Sequence, residues 1–242
     1  MRTKARRRKL FADWRDFGRE YAIIVLGVLT ALLAQQAVQS MEWHQKVEAA
    51  VADMDNELSR GDGPQSYARL AMHDCIATRL NNLRTAVESS NRADSRKLIE
   101  AFWLPKRTYD SLARDAATAS DVSSHMPHAR MLQYRIAYEM VPDMQRIADK
   151  ELADVGHLRA LPGIGGSLQL PEKLAEMDAI EALQLDNDAM TREARFTIVR
   201  LGIMNLRLDR FFVEGNIGKA RAAYGNCLTS PNLPASVFTA GE

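Results

Sequence analysis

An uncharged run from Tyr21 to Met41 constrains this chain more than any other feature of its sequence. Its apolar part extends to Val38, about 18 residues, which is near the lower limit for crossing a ~30 Å hydrocarbon core. Trp14 lies before the run and Trp43 lies after it, as expected for aromatic belts at the two membrane interfaces. We therefore predict a transmembrane helix over residues 21–41.

The charge around this helix predicts its orientation. Residues 1–20 carry a net charge of +5, whereas the other 222 residues sum to −4. The basic run Arg6, Arg7, Arg8 and Lys9 lies entirely upstream of the apolar segment, so the positive-inside rule predicts a cytoplasmic N-terminus. These residues also attract anionic lipid headgroups, by about 1 kcal/mol each. The predicted localisation is a bacterial inner membrane, with the remaining chain in the periplasm.

Three other interpretations of the N-terminus are less favoured. A cleaved signal peptide shares the basic start, but Ala34 and Ala37 have the wrong spacing for cleavage, and Gln35 and Gln36 intervene. A buried core helix leaves the basic flank unexplained. An arm that binds nucleic acid is weakly indicated, because membrane topology requires the same basic residues, and no nucleic-acid partner is expected.

Gly27, Ala31 and Ala34 fall on one face of the predicted transmembrane helix. Small residues on one face let a second helix approach closely, which favours a homo-oligomer or a membrane-protein partner. The alternative is that these residues reflect only the usual composition of transmembrane helices.

The run FGREYAIIVLGVLTALLAQQAVQ, together with the Trp43 region that follows, resembles the N-terminus of a family of uncharacterised single-pass membrane proteins of alphaproteobacteria. The resemblance covers residues 14–60. It implies an inner-membrane anchor with a periplasmic helical domain, and it implies no activity or functional residues.

The rest of the chain predicts helices and almost no strands, because Val47, Val51, Met54 and Leu58 recur at helical spacing and no alternating β-branched runs occur. The predicted class is all-α: a transmembrane helix continuing into an antiparallel bundle of about four long and two short helices. The first predicted helix runs to Arg60 and is ended by Gly61–Pro64. Further helices are predicted over 64–90, 92–103, 108–120 (capped by Thr108), 127–161 (kinked at Pro142) and 171–214. Loops are predicted at 121–128 and 161–167, and a poorly ordered tail from Gly215. The predicted divisions are a tail (1–20), an anchor (21–41), a periplasmic domain (42–229) and a flexible C-terminal tail (230–242).

Cys75 and Cys227 are the two cysteines of the chain. In a periplasmic domain such a pair forms a disulfide, which here would tie the tail to the second helix. The alternative is two unrelated buried thiols.

Catalytic and metal-binding patterns are weak, so the sequence predicts no metal and no cofactor. Asp121, His125 and His128 are the best candidate metal ligands, but loop histidines beside a proline are usually solvated. His73 and Cys75 point to different faces of a helix, and the glycine-rich PGIGGS lacks the GK[ST] ending of a phosphate loop.

Charged residues of the last helix allow two interpretations. The arginines are expected to form surface ion pairs with acidic helices, or else to line a groove for an anionic ligand. The acidic pairs are expected to lie on solvated helix faces. The arginines are Arg192, Arg195, Arg200, Arg207 and Arg210; the acidic pairs are Glu172 with Glu176 and Glu181 with Asp186.

These features favour a non-enzymatic interaction or accessory protein of a membrane complex. The 20-residue cytoplasmic tail is too short for an output domain, so any signal must pass through a partner. Two alternatives stay open: a sensor-like bundle that binds a small ligand, and an anchored periplasmic enzyme that uses the arginines and His73.

Overall fold

The computed structural model describes residues 4–161, 167–231, 233 and 237–238, including their side chains except at positions 4–13, 15 and 16. These residues form helices and connecting turns, with an isolated β-bridge between Leu208 and Phe238. The predicted all-α class is therefore confirmed. The helices are α1 (Lys4–Asn56), a π-helical segment (Glu57–Asp62), α2 (Gly63–Glu88), α3 (Arg92–Ala101), α4 (Leu112–Ala119), a 3-10 turn (Val122–His125), α5 (His128–Tyr138), α6 (Val141–Ala160), α7 (Leu170–Ile203), α8 (Arg210–Tyr224) and a second 3-10 turn (Gly225–Cys227).

The chain divides into two compact units, Met1–Ala49 and Ala50–Glu242. Within the first unit the described residues belong to α1, and its large apolar side chains from Phe17 to Met41 are exposed. By length and composition, the helix running from Phe17 to Glu88 is able to cross a membrane, and its apolar window lies near the N-terminus.

The second unit is a helical bundle built around α2. Helix α7 lies antiparallel to α2, because Lys173 Nζ donates to the carbonyl of Glu88 at 2.6 Å while Asn187 Nδ2 donates to the carbonyl of His73 at 3.3 Å. Helices α6 and α8 pack on this pair. The buried core includes Met72, Ile76, Leu80, Leu83 and Val87 of α2, Val155 and Leu158 of α6, Ile180 and Leu183 of α7, and Tyr224 of α8.

The predicted break at Gly61–Pro64 is wrong, because the helix passes through it as the π-helical segment. The backbone N–H of Gly63 donates to the carbonyl of Leu58, five residues back. Pro64 has no N–H to continue this pattern onto Ser59. The carbonyl of Ser59 instead accepts from the N–H of Asp209 at 3.1 Å, so a donor from another part of the bundle satisfies it.

Two predicted long helices are each divided in the structure. Pro142 lies in the first turn of α6 and does not kink one long helix. It cannot donate to the carbonyl of Tyr138, and α5 ends at that residue. Helix α7 ends at Ile203, and Asn205, two residues later, has a left-handed φ of 57°. The N–H of Leu206 then donates to the carbonyl of Leu201 at 2.9 Å, which satisfies a carbonyl of the last turn. The prediction of a tail from Gly215 is wrong for residues 215–224, because they belong to α8.

The segment 102–110 replaces the start of the predicted helix 108–120, and Thr108 is not a helix cap. Its backbone pairs with the amide of Gln65 on α2, which accepts from the Thr108 N–H at 3.2 Å and donates to its carbonyl at 2.8 Å. This pairing attaches the segment to α2. Most of the predicted loop 161–167 and most of the predicted flexible tail 230–242 lie outside the described residues.

Gly63 packs closely against the end of α7 and against the connection between α7 and α8. A Cβ there would lie 2.7 Å from the carbonyl oxygen of Leu58 and 2.8 Å from Leu201 Cδ1, and it would also meet Leu208 Cδ2. We expect Gly63→Ala to lower the free energy of unfolding by about 1–3 kcal/mol, because the core must move to admit the methyl group.

Gly61→Ala is the matched control, since a Cβ at Gly61 meets nothing within 4 Å. It should be neutral, or stabilising by up to about 1 kcal/mol through helix propensity. Guanidinium chloride unfolding of both variants in mild detergent measures the difference. Equal stability of the two variants would contradict the close packing at Gly63.

Candidate functional site

The two cysteines meet, as the sequence predicted. Their sulfur atoms lie at disulfide distance, 2.12 Å apart, and join α2 to the chain just after α8 across 152 residues of sequence. Cys75 is buried in the core, whereas Cys227 is exposed.

The helix-packing face that the sequence predicted for the anchor segment lies on α1. Gly27, Ala31 and Ala34 are all exposed, and a Cβ at Gly27 meets nothing within 4 Å. Their contact with a second helix stays a prediction. The side chains of Arg6, Arg7, Arg8 and Lys9 lie outside the described residues.

The candidate catalytic and metal-binding residues do not gather into one site. His73 lies in a surface cluster, with Nδ1 2.9 Å from Asp74 and Nε2 3.3 Å from Asp188. In the described ranges no group of three or more His, Cys, Asp or Glu side chains is arranged to hold a metal ion, and this includes the trio around His125.

The arginines near the end of α7 are also dispersed. Arg207 and Arg210 line two different cavities, and Arg192 and Arg195 are exposed. Within the part of the chain that the structure describes, none of these arginines forms an ion pair, so the predicted surface pairing is not found there. The prediction of solvated acidic pairs is wrong at two positions: Glu176 is buried, and Asp186 is buried and paired with Lys150 at 2.8 Å.

The main charged feature is a buried triad of Arg69, Glu151 and Arg107. Arg69 Nη2 lies 2.6 Å from Glu151 Oε1, and Arg107 Nη2 lies 2.6 Å from Glu151 Oε2. Helices α2 and α6 and the segment 102–110 each supply one member. Burial lowers the pKa of Arg69, and Glu151 opposes that shift. The triad carries a net charge of +1 inside the bundle.

Several polar groups around the triad are buried without a protein partner. Nε and Nη1 of both arginines have none among the described residues, and neither has the hydroxyl of Tyr109. Burial raises the pKa of Tyr109 to about 12, so its hydroxyl stays neutral. These groups add hydrogen-bonding capacity to the region, but they do not balance its positive charge.

Asp62 lies nearby and is buried as well. Its Oδ1 accepts from the N–H of Asp110 at 3.4 Å, while its Oδ2 has no partner among the described residues. Desolvation raises the pKa of Asp62 from 3.8 to about 8. The side chain is therefore largely protonated at neutral pH and supplies no counter-charge to the arginines.

The raised pKa of Asp62 predicts a pH-dependent stability. The unfolded chain releases this proton near pH 3.8, whereas the folded chain holds it up to about pH 8. Between these values folding takes up a proton, so Asp62 makes the free energy of unfolding fall as pH rises, by up to about 1.4 kcal/mol per pH unit. Asp62→Asn removes this titrating carboxyl, so the free energy of unfolding of the variant should change less with pH. Guanidinium chloride unfolding at several pH values compares the two proteins, and parallel profiles would contradict the assignment.

A cavity of about 340 Å³ lies beside the triad. Its walls come from residues 60–72, residues 105–110 and helix α8. Arg107 belongs both to the triad and to the cavity wall, where it is joined by Arg60, Lys106 and Lys219. Asp110 is the carboxylate among the lining residues, so the wall carries a formal charge of +3.

Sequence reasoning missed the triad, although a signal for it exists. Arg69 occupies a core position of α2, three residues before Met72 and seven before Ile76. Glu151 lies between Ile147 and Val155 on the buried stripe of α6. A charged residue at an apolar position of a helix requires a buried partner of opposite charge, although the pattern does not say which.

Comparisons with protein-family models, with curated proteins and with solved structures found no match to this chain.

Proposed function

We propose that this chain is a single-pass inner-membrane protein whose helical bundle lies in the periplasm and acts by binding rather than by catalysis. The observation that carries the proposal is the row of exposed apolar side chains on α1 between Phe17 and Met41. An apolar surface of this extent requires a membrane or a partner to cover it. The bundle has a core of its own, so the exposed row is not needed to complete that core.

Two observations support the orientation. The net charge of +5 in residues 1–20 favours a cytoplasmic N-terminus by the positive-inside rule. The disulfide distance between Cys75 and Cys227 suits an oxidising compartment, since such bonds persist in the periplasm and are rare in the cytosol.

The arrangement of the bundle favours binding over catalysis. His73 lies beside two surface carboxylates, and the arginines between positions 192 and 210 are dispersed, so the residues proposed for an enzyme do not converge. A binding role requires a contact surface, and Gly27, Ala31 and Ala34 supply one on the anchor. Through this face α1 packs against a second helix, from another copy or from a membrane-protein partner.

A test of this role compares full-length protein in mild detergent with variants of the small-residue face. Wild type should run above the monomer mass or be captured with a partner by cross-linking in cells. Gly27→Leu with Ala31→Leu should abolish the association, because the larger side chains keep the helix backbones apart. Val25→Leu with Leu29→Ile is the matched control on the opposite face of the helix. A strictly monomeric wild type that captures nothing would overturn the proposal.

The cationic cavity favours a second candidate function, a sensor-like bundle that binds a small ligand and acts through a partner helix. The cavity lies within the bundle, and its wall includes a buried arginine. This function shares the anchor and the orientation with the first and adds a ligand.

A further inference from the structure

The cavity between residues 60–72, residues 105–110 and α8 has the charge of an anion site. Three cationic side chains of its wall, Arg60, Lys106 and Lys219, come from three different parts of the chain. Side chains from separate elements converge on one space here, unlike charges along a single solvated helix face. Each cation near the ligand adds attraction, which is strongest where water is partly excluded.

The two lysine side chains are available to a ligand. Within the described residues neither Lys106 nor Lys219 forms an ion pair, and both side chains are exposed, so they reach an incoming ligand without losing another contact. Arg60 already forms an ion pair, since its Nε lies 3.1 Å from Asp209 Oδ2. The lysines are therefore the groups that we expect to contact the ligand directly.

One of the cations that line the wall, Arg107, is buried, and its carboxylate partner does not fully compensate its charge. Arg107 is only 7% exposed, and its Nε and Nη1 have no protein partner among the described residues. The triad to which it belongs has one positive charge in excess, and the protonated carboxyl of Asp62 does not cancel it at neutral pH. A positive charge in a low-dielectric interior is weakly screened and favours an anion at the adjacent surface.

The wall is also held in place. The amide of Gln65 makes two hydrogen bonds with the backbone of Thr108, which attaches the segment carrying Lys106 and Arg107 to α2. Arg107 is further fixed by Glu151 at 2.6 Å. A wall fixed before the ligand arrives reduces the entropy cost of binding.

We propose that this cavity binds a compact anion carrying at least two negative charges, such as a tricarboxylate or a pyrophosphate. A volume of about 340 Å³ is at the small end of ligand pockets and accommodates anions of that size. Arg60 is paired with Asp209, and Arg107 shares Glu151 with Arg69, so the positive charge left uncompensated around the cavity comes from Lys106, Lys219 and the triad. This excess favours multivalent over monovalent anions. The inference rests on the second candidate function, the sensor-like bundle, and names its ligand class.

Isothermal titration calorimetry of the full-length protein in mild detergent tests this inference at low ionic strength. The probes are citrate and inorganic pyrophosphate, with acetate as the monovalent comparison. Wild type should bind at least one of the two multivalent probes saturably at one site per chain. Acetate should bind at least tenfold more weakly, because it offers a single charge to the same wall.

Three variants identify the site. Lys106→Gln with Lys219→Gln should weaken binding at least tenfold. Asp110→Asn should strengthen it a few-fold, because it removes the carboxylate from the wall and leaves the backbone N–H that bonds Asp62. A gain of affinity cannot come from a damaged fold. Lys97→Gln with Arg192→Gln removes two exposed cations of α3 and α7 and should leave binding nearly unchanged.

The absence of saturable binding of both multivalent probes to wild type would overturn the inference. So would equal weakening in the two double variants, which would show attraction to the overall charge of the protein. Both results leave the proposed membrane role intact, because the titration does not depend on which side of the membrane the bundle occupies. A monomeric chain without partners that still binds a probe would instead remove the association role and keep the anion site.

Discussion

We expect Glu151→Gln to lower the free energy of unfolding by about 3–5 kcal/mol, because it leaves two buried guanidinium groups without their shared carboxylate. Glu151 is 1% exposed, and each of its oxygens accepts from a different arginine at 2.6 Å. The amide keeps the shape of the side chain but carries no charge. It also replaces one acceptor oxygen with an NH₂ group that faces an arginine.

Asp143→Asn is the matched control for Glu151→Gln. It makes the same chemical change on the same helix, in an exposed pair with Arg146 at 3.0 Å. Exposed pairs contribute about 0–1 kcal/mol, so the control should change stability by no more than that. Guanidinium chloride unfolding in mild detergent, followed by fluorescence, measures both variants. Equal, small effects would show that water reaches the two arginines and that the triad is not a buried charge cluster.

Breaking the link between Cys75 and Cys227 should produce the second large effect. The link closes a separation of 152 residues. The chain-entropy model assigns such a loop about 5 kcal/mol, and measured values for native disulfides are about 2–5 kcal/mol. We expect a loss in that range for Cys227→Ser. Because Cys227 is exposed, this substitution removes the link without leaving a cavity in the core.

A reductant separates the effect of losing the disulfide from any other effect of Cys227→Ser on stability. Dithiothreitol should lower the stability of wild type to that of Cys227→Ser and should leave the variant unchanged. A wild type whose unfolding does not respond to reductant would show that the two thiols are not joined in the purified protein.

Helical class and much of the core were predictable because both depend on local pattern. Ile76, Leu80, Leu83 and Val87 repeat at helical spacing, and all four are buried on α2. The errors occurred where a distant contact overrides a local stop signal. Pro64 suggested a break, because it has no N–H to donate to the carbonyl of Ser59. The N–H of Asp209 donates to that carbonyl instead.

The candidate site was less predictable than the fold. Arg69, Arg107 and Glu151 are far apart in the sequence, and helical spacing identifies a buried charged residue without naming its partner. Arg107 lies in an irregular segment, where side chains follow neither the helical nor the strand repeat. The cavity requires side chains from the start of α2, the segment 105–110 and α8 to meet, which depends on the tertiary packing.

Thiol labelling in spheroplasts tests the central claim, a periplasmic bundle on a membrane anchor, most directly. The reagent is membrane-impermeant, and Cys227 is the reporter because its side chain is exposed. We predict labelling of intact spheroplasts only after reduction, which places the bundle outside the cytoplasm with its cysteines joined. Labelling only after lysis, with no reductant needed, would place the bundle in the cytoplasm with free thiols and would contradict the proposed topology.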